Sequence, residues 1–258
     1  MNKTNYHTHT LRCRHAIGED EEYVASAIAH GYRTLGFSDH TPWPYPHELE
    51  ADVRMDAAQL PGYVYSILSL KDRNRDKIEI KVGLECEYFE EYLPWLREQV
   101  RAQAIDYLIF GNHYAAPGAP YFGHHTTGRE MMQMYVETSL RGMECREFAY
   151  FAHPDLFMRA YPAFDALCEQ SSRAICERAA QLGVVLEYNI SGFVIGEKHK
   201  KECYPHDAFW RIAADCGCTA IIGVDAHSPA ALARDGDWNA ATTKLKRLGV
   251  KRVDRIES

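Results

Sequence analysis

Short β-rich runs alternate with longer amphipathic stretches along the whole chain. Strands are predicted at 4–7, 34–38, 79–85, 107–111, 148–152, 184–189 and 220–224. Several are almost unbroken apolar segments, such as Tyr107-Leu-Ile-Phe110 and Ala220-Ile-Ile-Gly-Val224. That pattern marks strands covered on both faces, as in a parallel sheet. Helix-like segments lie between them at about 20–31, 56–75, 90–104, 128–142, 164–182, 206–217 and 229–248. Gly31, Gly183, Gly217 and Gly249 fall near helix ends, where a left-handed residue commonly closes the last turn. Asp56 and Asp165 are candidate N-caps.

Seven strand–helix units predict an α/β fold, a closed or nearly closed (β/α) barrel. A doubly wound sheet competes, but no Gly-rich phosphate loop follows the first strand. With 258 residues and no repeat, low-complexity tract or linker, a single domain over 1–258 is expected. The hydrophobic share of 46% is enough for a large core, and the charged share of 25% is ordinary. A net charge of −7 without a basic stripe leaves no nucleic-acid footprint and would suit a cationic small substrate. No apolar run approaches the ~18–20 residues that span a bilayer. The N-terminal residues show no signal-peptide core. The eight cysteines form no paired framework, so reduced core thiols and a cytoplasmic location are expected.

The chemistry lies at the strand ends. His7, His9, His15, His40, Glu85, His113, His153, Asp225 and His227 each sit just past a predicted strand or in the loop that follows it. Six of the seven strands carry such a residue, which matches the barrel rule for catalytic groups at the C-terminal face. Alternation along a strand lets His7 and His9 point at one ion. Singly, each residue reads as a histidine or acid satisfied by backbone hydrogen bonds. Together, nine buried titratable groups would be costly without cations to compensate them. Catalytic zinc usually takes three protein ligands, so two ions are well supplied, and three would average three ligands each. The His-rich mixture favours zinc, iron or manganese over calcium or magnesium.

The order and spacing of His7-x-His9, His15, Ser38-Asp39-His40, Glu85, His113, His153 and Asp225-x-His227 resemble the polymerase-and-histidinol-phosphatase (PHP) superfamily. The segments Gly-Asn-His-Tyr, Phe-Ala-His-Pro-Asp-Leu and Leu-Glu-Tyr-Asn-Ile-Ser look most like its stand-alone histidinol-phosphatase branch. The resemblance implies a distorted (β/α)7 TIM-like barrel with a trinuclear centre. By analogy, His7, His9, Glu85 and Asp225 hold the first ion. Glu85 bridges to a second completed by His113 and His153, and His15, His40 and His227 hold the third. Asn112 departs from the small residue expected before the fourth-strand histidine.

The implied activity is a metal-dependent phosphomonoesterase, with histidinol phosphate as the leading substrate and another small phosphomonoester or a nucleotide as the alternative. Its nucleophile would be a hydroxide held between ions. Asp225, Glu85 and His227 are the expected catalytic groups, with Asp225 managing the leaving-group proton. Arg159 and Ser191 are candidate phosphate contacts, Arg for its bidentate geometry. Trp43-Pro-Tyr-Pro46 and Tyr114 are candidates for the apolar pocket wall. Glu87 and Glu197 are weighed as ammonium acceptors, but single acids near a rim are common. His124 and His125 read as loop residues, His30 and His206 as structural, and 198–201 as a solvated loop. A metal-dependent amidohydrolase is the nearest rival, although no lysine adjoins Glu85 or His113 to bridge ions. A non-catalytic metal-binding protein is the third reading. No heptad seam or sustained exposed apolar stripe indicates an oligomeric state.

Overall fold

The computed structural model describes residues 2–46, 53–200 and 202–256. Eight strands pair in sequence order, every pair parallel: β1 Lys3–Asn5, β2 Tyr32–His40, β3 Glu79–Cys86, β4 Tyr107–Gly111, β5 Tyr150–Ala152, β6 Val185–Asn189, β7 Thr219–Gly223 and β8 Lys251–Arg252. The helices are α1 Asp20–Ala29, α2 Leu60–Arg73, α3 Leu93–Ala102, α4 Phe122–His125, α5 Arg129–Glu144, α6 Ala166–Leu182, α7 Ile190–His199, α8 Asp207–Asp215, α9 Pro229–Leu232 and α10 Asp235–Leu248. The sheet curls into a distorted TIM-like barrel, as the strand pattern and the family resemblance led one to expect.

Closure uses two devices. At the C-terminal rim the chain after β1 meets the chain after β7: His9 N–H donates to the Ala226 carbonyl at 2.9 Å, and Ala226 N–H to that of His7 at 3.1 Å. At the opposite end β8 fills the gap. Val253 N–H donates to the Ala220 carbonyl at 2.8 Å, and the Thr4 hydroxyl to the Asp254 carbonyl at 2.6 Å.

Four elements differ from the sequence expectation, the first being α4, a helical turn where His124 and His125 read as loop residues. The eighth strand, Lys-Arg, is too short and polar to show a pattern. Helix α7 was missed because two glycines interrupt Ile-Ser-Gly-Phe-Val-Ile-Gly-Glu-Lys-His and the strand before it ran on in the same apolar register. The stretch 198–201 is therefore not a loop throughout: Lys198 and His199 end α7, Lys200 caps it at φ 52°, and Lys201 lies outside the described residues. The single helix expected at 229–248 is divided at Ala233 and Arg234 into α9 and α10.

The caps follow the chemistry read from sequence. Asp165 accepts the Cys168 N–H at 2.9 Å, Asp56 forms a capping box with Gln59, and Gly183 and Gly249 end α6 and α10 in the left-handed region. None of the eight cysteines, all among the described residues, forms a disulfide.

Apolar side chains divide between two layers. Leu35, Phe37, Val82, Leu84, Phe110, Phe151 and Leu186 pack outward against the helices. Tyr6, Tyr107, Ile109, Tyr150, Ala152 and Ile221 plug the barrel interior. Each large side chain so buried contributes about 1.5–3 kcal/mol. Tyr107 is the keystone of the plug, donating to the Tyr6 carbonyl at 2.7 Å. A Cβ at Gly83 would lie 2.4 Å from Tyr107 Cζ, so the ring fits only because that strand position has no side chain. This plug fills the barrel beneath the histidines and acids of the rim.

Candidate metal centre

Register brings the predicted residues together. In β2–β3 pairing His40 lies opposite Glu85, and the bridge Thr8↔Ala226 sets the His7–His9 segment beside Asp225 and His227. Glu85 is the hub. Its Oε1 lies 2.9 Å from His153 Nε2, 3.3 Å from His113 Nε2 and 3.4 Å from His7 Nε2. Its Oε2 lies 3.0 Å from His40 Nδ1 and 3.5 Å from His9 Nε2. Asp225 Oδ1 is 3.2 Å from His9 Nε2 and 3.5 Å from His7 Nε2. His15 and His227 complete the array, their Nε2 atoms 3.0 Å apart. All nine predicted residues therefore converge. By distance His40 belongs both with His15 and His227 and with Glu85 and His113.

Close packing at this rim depends on two glycines. A Cβ at Gly111 would sit 2.4 Å from Glu85 Oε1, and one at Gly223 would sit 1.7 Å from Glu187 Oε1.

Hydrogen bonds fix which ring nitrogens face inward. His15 Nδ1 lies 2.8 Å from the Cys13 carbonyl, and His227 Nδ1 lies 3.1 Å from that of Asp225. Carbonyl oxygens only accept, so both Nδ1 atoms carry protons and both Nε2 atoms turn lone pairs on each other. His7 repeats the logic, giving Nδ1–H to Glu187 at 2.9 Å and facing His9 Nε2 at 3.2 Å. His113 gives Nδ1–H to Glu87 at 3.0 Å. Lone pairs opposed at such distances repel unless a proton or cation lies between them. At the centre itself, His40 Nδ1 and Glu85 Oε2 are buried and face each other at 3.0 Å without making a hydrogen bond, although such groups are normally satisfied. The donor set thus fits divalent transition ions.

Without ions, protons must take up the same charge. Burial alone would lower His9 and His113. Asp225 and Asp39 offset this at His9, and Glu85 and Glu87 at His113, pushing each up to about 9. Burial, reinforced by His9, drives His40 down to about 3 and His227 to about 4. Burial would raise the Glu85 and Asp225 carboxyls, but the surrounding imidazoles hold both well below the usual range.

These groups floor a cavity of about 560 Å³ whose walls include Arg54, Glu87, Tyr114, Tyr121, His124, Leu156, Arg159, Ser191, Ile195 and Tyr204. Arg159 and Ser191, the candidate phosphate contacts, both line this cavity, and Arg159 lies over the Tyr121 ring at 5.9 Å. Three expectations are corrected. Trp43 does not line the cavity: it packs on Phe89 and Tyr92 and gives its N–H to Glu87 at 2.6 Å. Glu87 lines it but is bound by Arg54 Nη2 at 2.9 Å as well as by His113, so it is no open ammonium acceptor. Glu197 borders a different cavity, between α7 and α10. His124 lines the site and His125 does not. Asn112 turns away, donating to Ser139 Oγ at 2.9 Å and to the Tyr135 carbonyl at 3.0 Å. His30 and His206 are structural, pairing with Asp235 and capping α8 respectively.

Sequence reading missed Arg54, Tyr121, Tyr204, Glu187 and Asn189. Glu187 had a visible signal, a charged residue inside an apolar strand. It accepts His7 Nδ1–H and is fully buried.

The chain matches the PHP domain family over residues 5–191. It is 28% identical over 235 residues to a probable histidinol-phosphatase of Deinococcus radiodurans, covering 86% of this chain and 85% of the relative. It is 25% identical to a probable histidinol-phosphatase of Schizosaccharomyces pombe, covering 97% and 88%. Its fold is similar to that of histidinol phosphate phosphatase from Lactococcus lactis, solved with zinc, L-histidinol and phosphate: TM-score 0.76, 21% identity, coverage 99% and 97%.

Proposed function

The chain belongs to the PHP domain family, and from that premise we propose that it is a metal-dependent phosphomonoesterase converting L-histidinol phosphate to L-histidinol and phosphate. One observation carries the reading: a buried carboxylate, Glu85, ringed by five imidazoles whose lone pairs and unpartnered atoms call for cations. The names of the full-length relatives supply the substrate. The acting unit would be the whole barrel, 1–258, as one domain.

Two or three ions of zinc, iron or manganese would be held by the nine residues. His7, His9, Glu85 and Asp225 would take the first, Glu85, His113 and His153 the second, and His15, His40 and His227 the third. Bound, such ions neutralise a phosphate dianion and lower the pKa of water so that a nucleophile is available near neutral pH. The protein's own groups do the rest. Glu187 and Glu87 keep His7 and His113 oriented by holding their Nδ1 protons. Arg159 and Ser191, on the cavity wall, would steer the phosphate oxygens. Asp225, flanked by His227 Nδ1 at 3.4 Å, borders the cavity where a leaving alkoxide needs a proton. The aromatic walls would limit water around the ester. No helix among the described residues is long and apolar enough to cross a membrane.

A bridging carboxylated lysine, as the amidohydrolase alternative requires, finds no support, because no described residue lining the cavity is a lysine. The test is elemental analysis combined with phosphate release from histidinol phosphate, other phosphomonoesters, nucleotides and cyclic amides. Asp225→Asn and His113→Ala should lose bound metal and orders of magnitude in rate, since charge stabilisation and positioning go together. Near-wild-type turnover after loss of the ions would refute the mechanism.

A further inference from the structure

Strand β6 supplies none of the nine candidate ligands, yet its two inward-facing polar side chains touch three of the segments that do. Glu187 Oε1 accepts from His7 Nδ1 at 2.9 Å and from the Tyr150 hydroxyl at 3.3 Å. Its Oε2 accepts from the His153 amide at 3.2 Å and from Asn189 Nδ2 at 2.9 Å. Asn189, two residues on and so on the same strand face, also reaches Asp225 Oδ2 at 3.3 Å. Its own Oδ1 accepts the Gly192 N–H at 2.8 Å and caps α7.

Two of the partners are conformationally unusual. His153 has φ 34° and Asp225 φ 52°, left-handed values that residues with a Cβ seldom adopt and that persist only where the surroundings enforce them. Glu187 holds the His153 amide, and Asn189 holds the Asp225 carboxylate. Neither Glu187 nor Asn189 borders the cavity. Both Glu187 oxygens are already occupied by donors, so it is placed to orient ligands rather than to bind an ion.

We propose that Glu187 and Asn189 are positioning residues that set the ion affinity of the His7–His9–Glu85–Asp225 group. Glu187 fixes the proton of His7 on Nδ1, turning Nε2 toward Glu85 and Asp225, and makes that imidazole a stronger donor. Together the pair tie the ends of β1, β5 and β7 to one rigid strand. The inference rests on the metal-dependent phosphatase reading.

The experiment titrates manganese alone into metal-free wild type, Glu187→Gln and Asn189→Ser, in competition with a chelator. Thermal stability of the metal-free proteins and activity against manganese concentration are measured alongside. Glu187→Gln should fold and lose about 10–100-fold in affinity for one ion, the size expected for an outer partner of a ligating histidine. Activity should return toward wild type at saturating manganese. Asn189→Ser retains an acceptor for the Gly192 N–H and should weaken the same ion about 10-fold; it decides the matter should Glu187→Gln fail to fold. Wild-type stoichiometry and affinity in the folded variants overturns the proposal. So does lost activity that follows a lowered melting temperature and is not restored by metal. A wild-type protein that takes up no ion would instead overturn the phosphatase reading, and this inference with it.

Discussion

Loading the centre with ions should expel protons, and the structure says how many and over which pH range. In the ion-free protein His9 and His113 are pushed up to about 9, so both are protonated at pH 7. His7 is also raised well above its ordinary value, the carboxylates of Glu187, Asp225 and Glu85 outweighing burial. A ligating imidazole must be neutral. Each of the two protons held at about 9 therefore opposes ion binding at pH 7 by roughly 3 kcal/mol, at about 1.4 kcal/mol per pKa unit. The sign follows: affinity rises with pH while those histidines are protonated and levels off above about 9. His7 and His9 share one ion, so two displaced protons give it about a 100-fold gain in affinity per pH unit between 7 and 9, whereas the ion of His113 displaces the one proton held there and gains about 10-fold. His40 and His227, held down at about 3 and 4, add nothing to the slope there. Manganese titrations by calorimetry in buffers of different ionisation enthalpy measure the protons released, and chelator competition at several pH values measures the slope. An affinity independent of pH between 7 and 9, with no proton release, would refute the reasoning.

Two further perturbations test the frame around the site. Gly223→Ala would put a Cβ 1.7 Å from Glu187 Oε1 and 2.3 Å from its Cδ, against a carboxylate pinned by four donors. Overpacking of this kind costs about 1–3 kcal/mol, read by denaturant unfolding, and bound metal should fall with it; wild-type values for both would show that β6 and β7 can separate freely. Arg54→Met removes the buried guanidinium that binds Glu87 and should destabilise by roughly 3–5 kcal/mol, the cost of an orphaned buried charge. The Arg54→Met/Glu87→Gln double variant should recover part of that loss, and strictly additive effects in the cycle would argue against the pair.

The barrel was legible because its strands are apolar runs flanked by capped helices, and the ligands because each follows such a run at the rim. The missed parts share a physical cause: they carry no periodic signal of their own. Lys251 and Arg252 form β8 only because a slot remains between β7 and β1, which is a property of the closed sheet rather than of two residues. Trp43 was misplaced because an aromatic residue in a loop can wall a pocket or fill a core. Its neighbours Phe89 and Tyr92, far along the chain, decide for the core. Arg54 was invisible for the same reason, since only the fold brings it to Glu87.

Spacing alone also could not say which nitrogen of each imidazole faces the centre. At His15 and His227 the answer is local, each ring handing its Nδ1 proton to the carbonyl two residues earlier. At His7 and His113 it is tertiary, with Glu187 and Glu87 as acceptors from other strand ends. Four Nε2 lone pairs are thereby aimed inward by four different acceptors, two of them charged. A carboxylate acceptor strengthens its imidazole as an electron donor more than a carbonyl does. The group containing His7 and that containing His113 should then hold their ions more tightly than the group of His15 and His227, which is also the more exposed. Stepwise chelation should strip that outer ion first, leaving a partly loaded protein whose remaining ions are centred on Glu85.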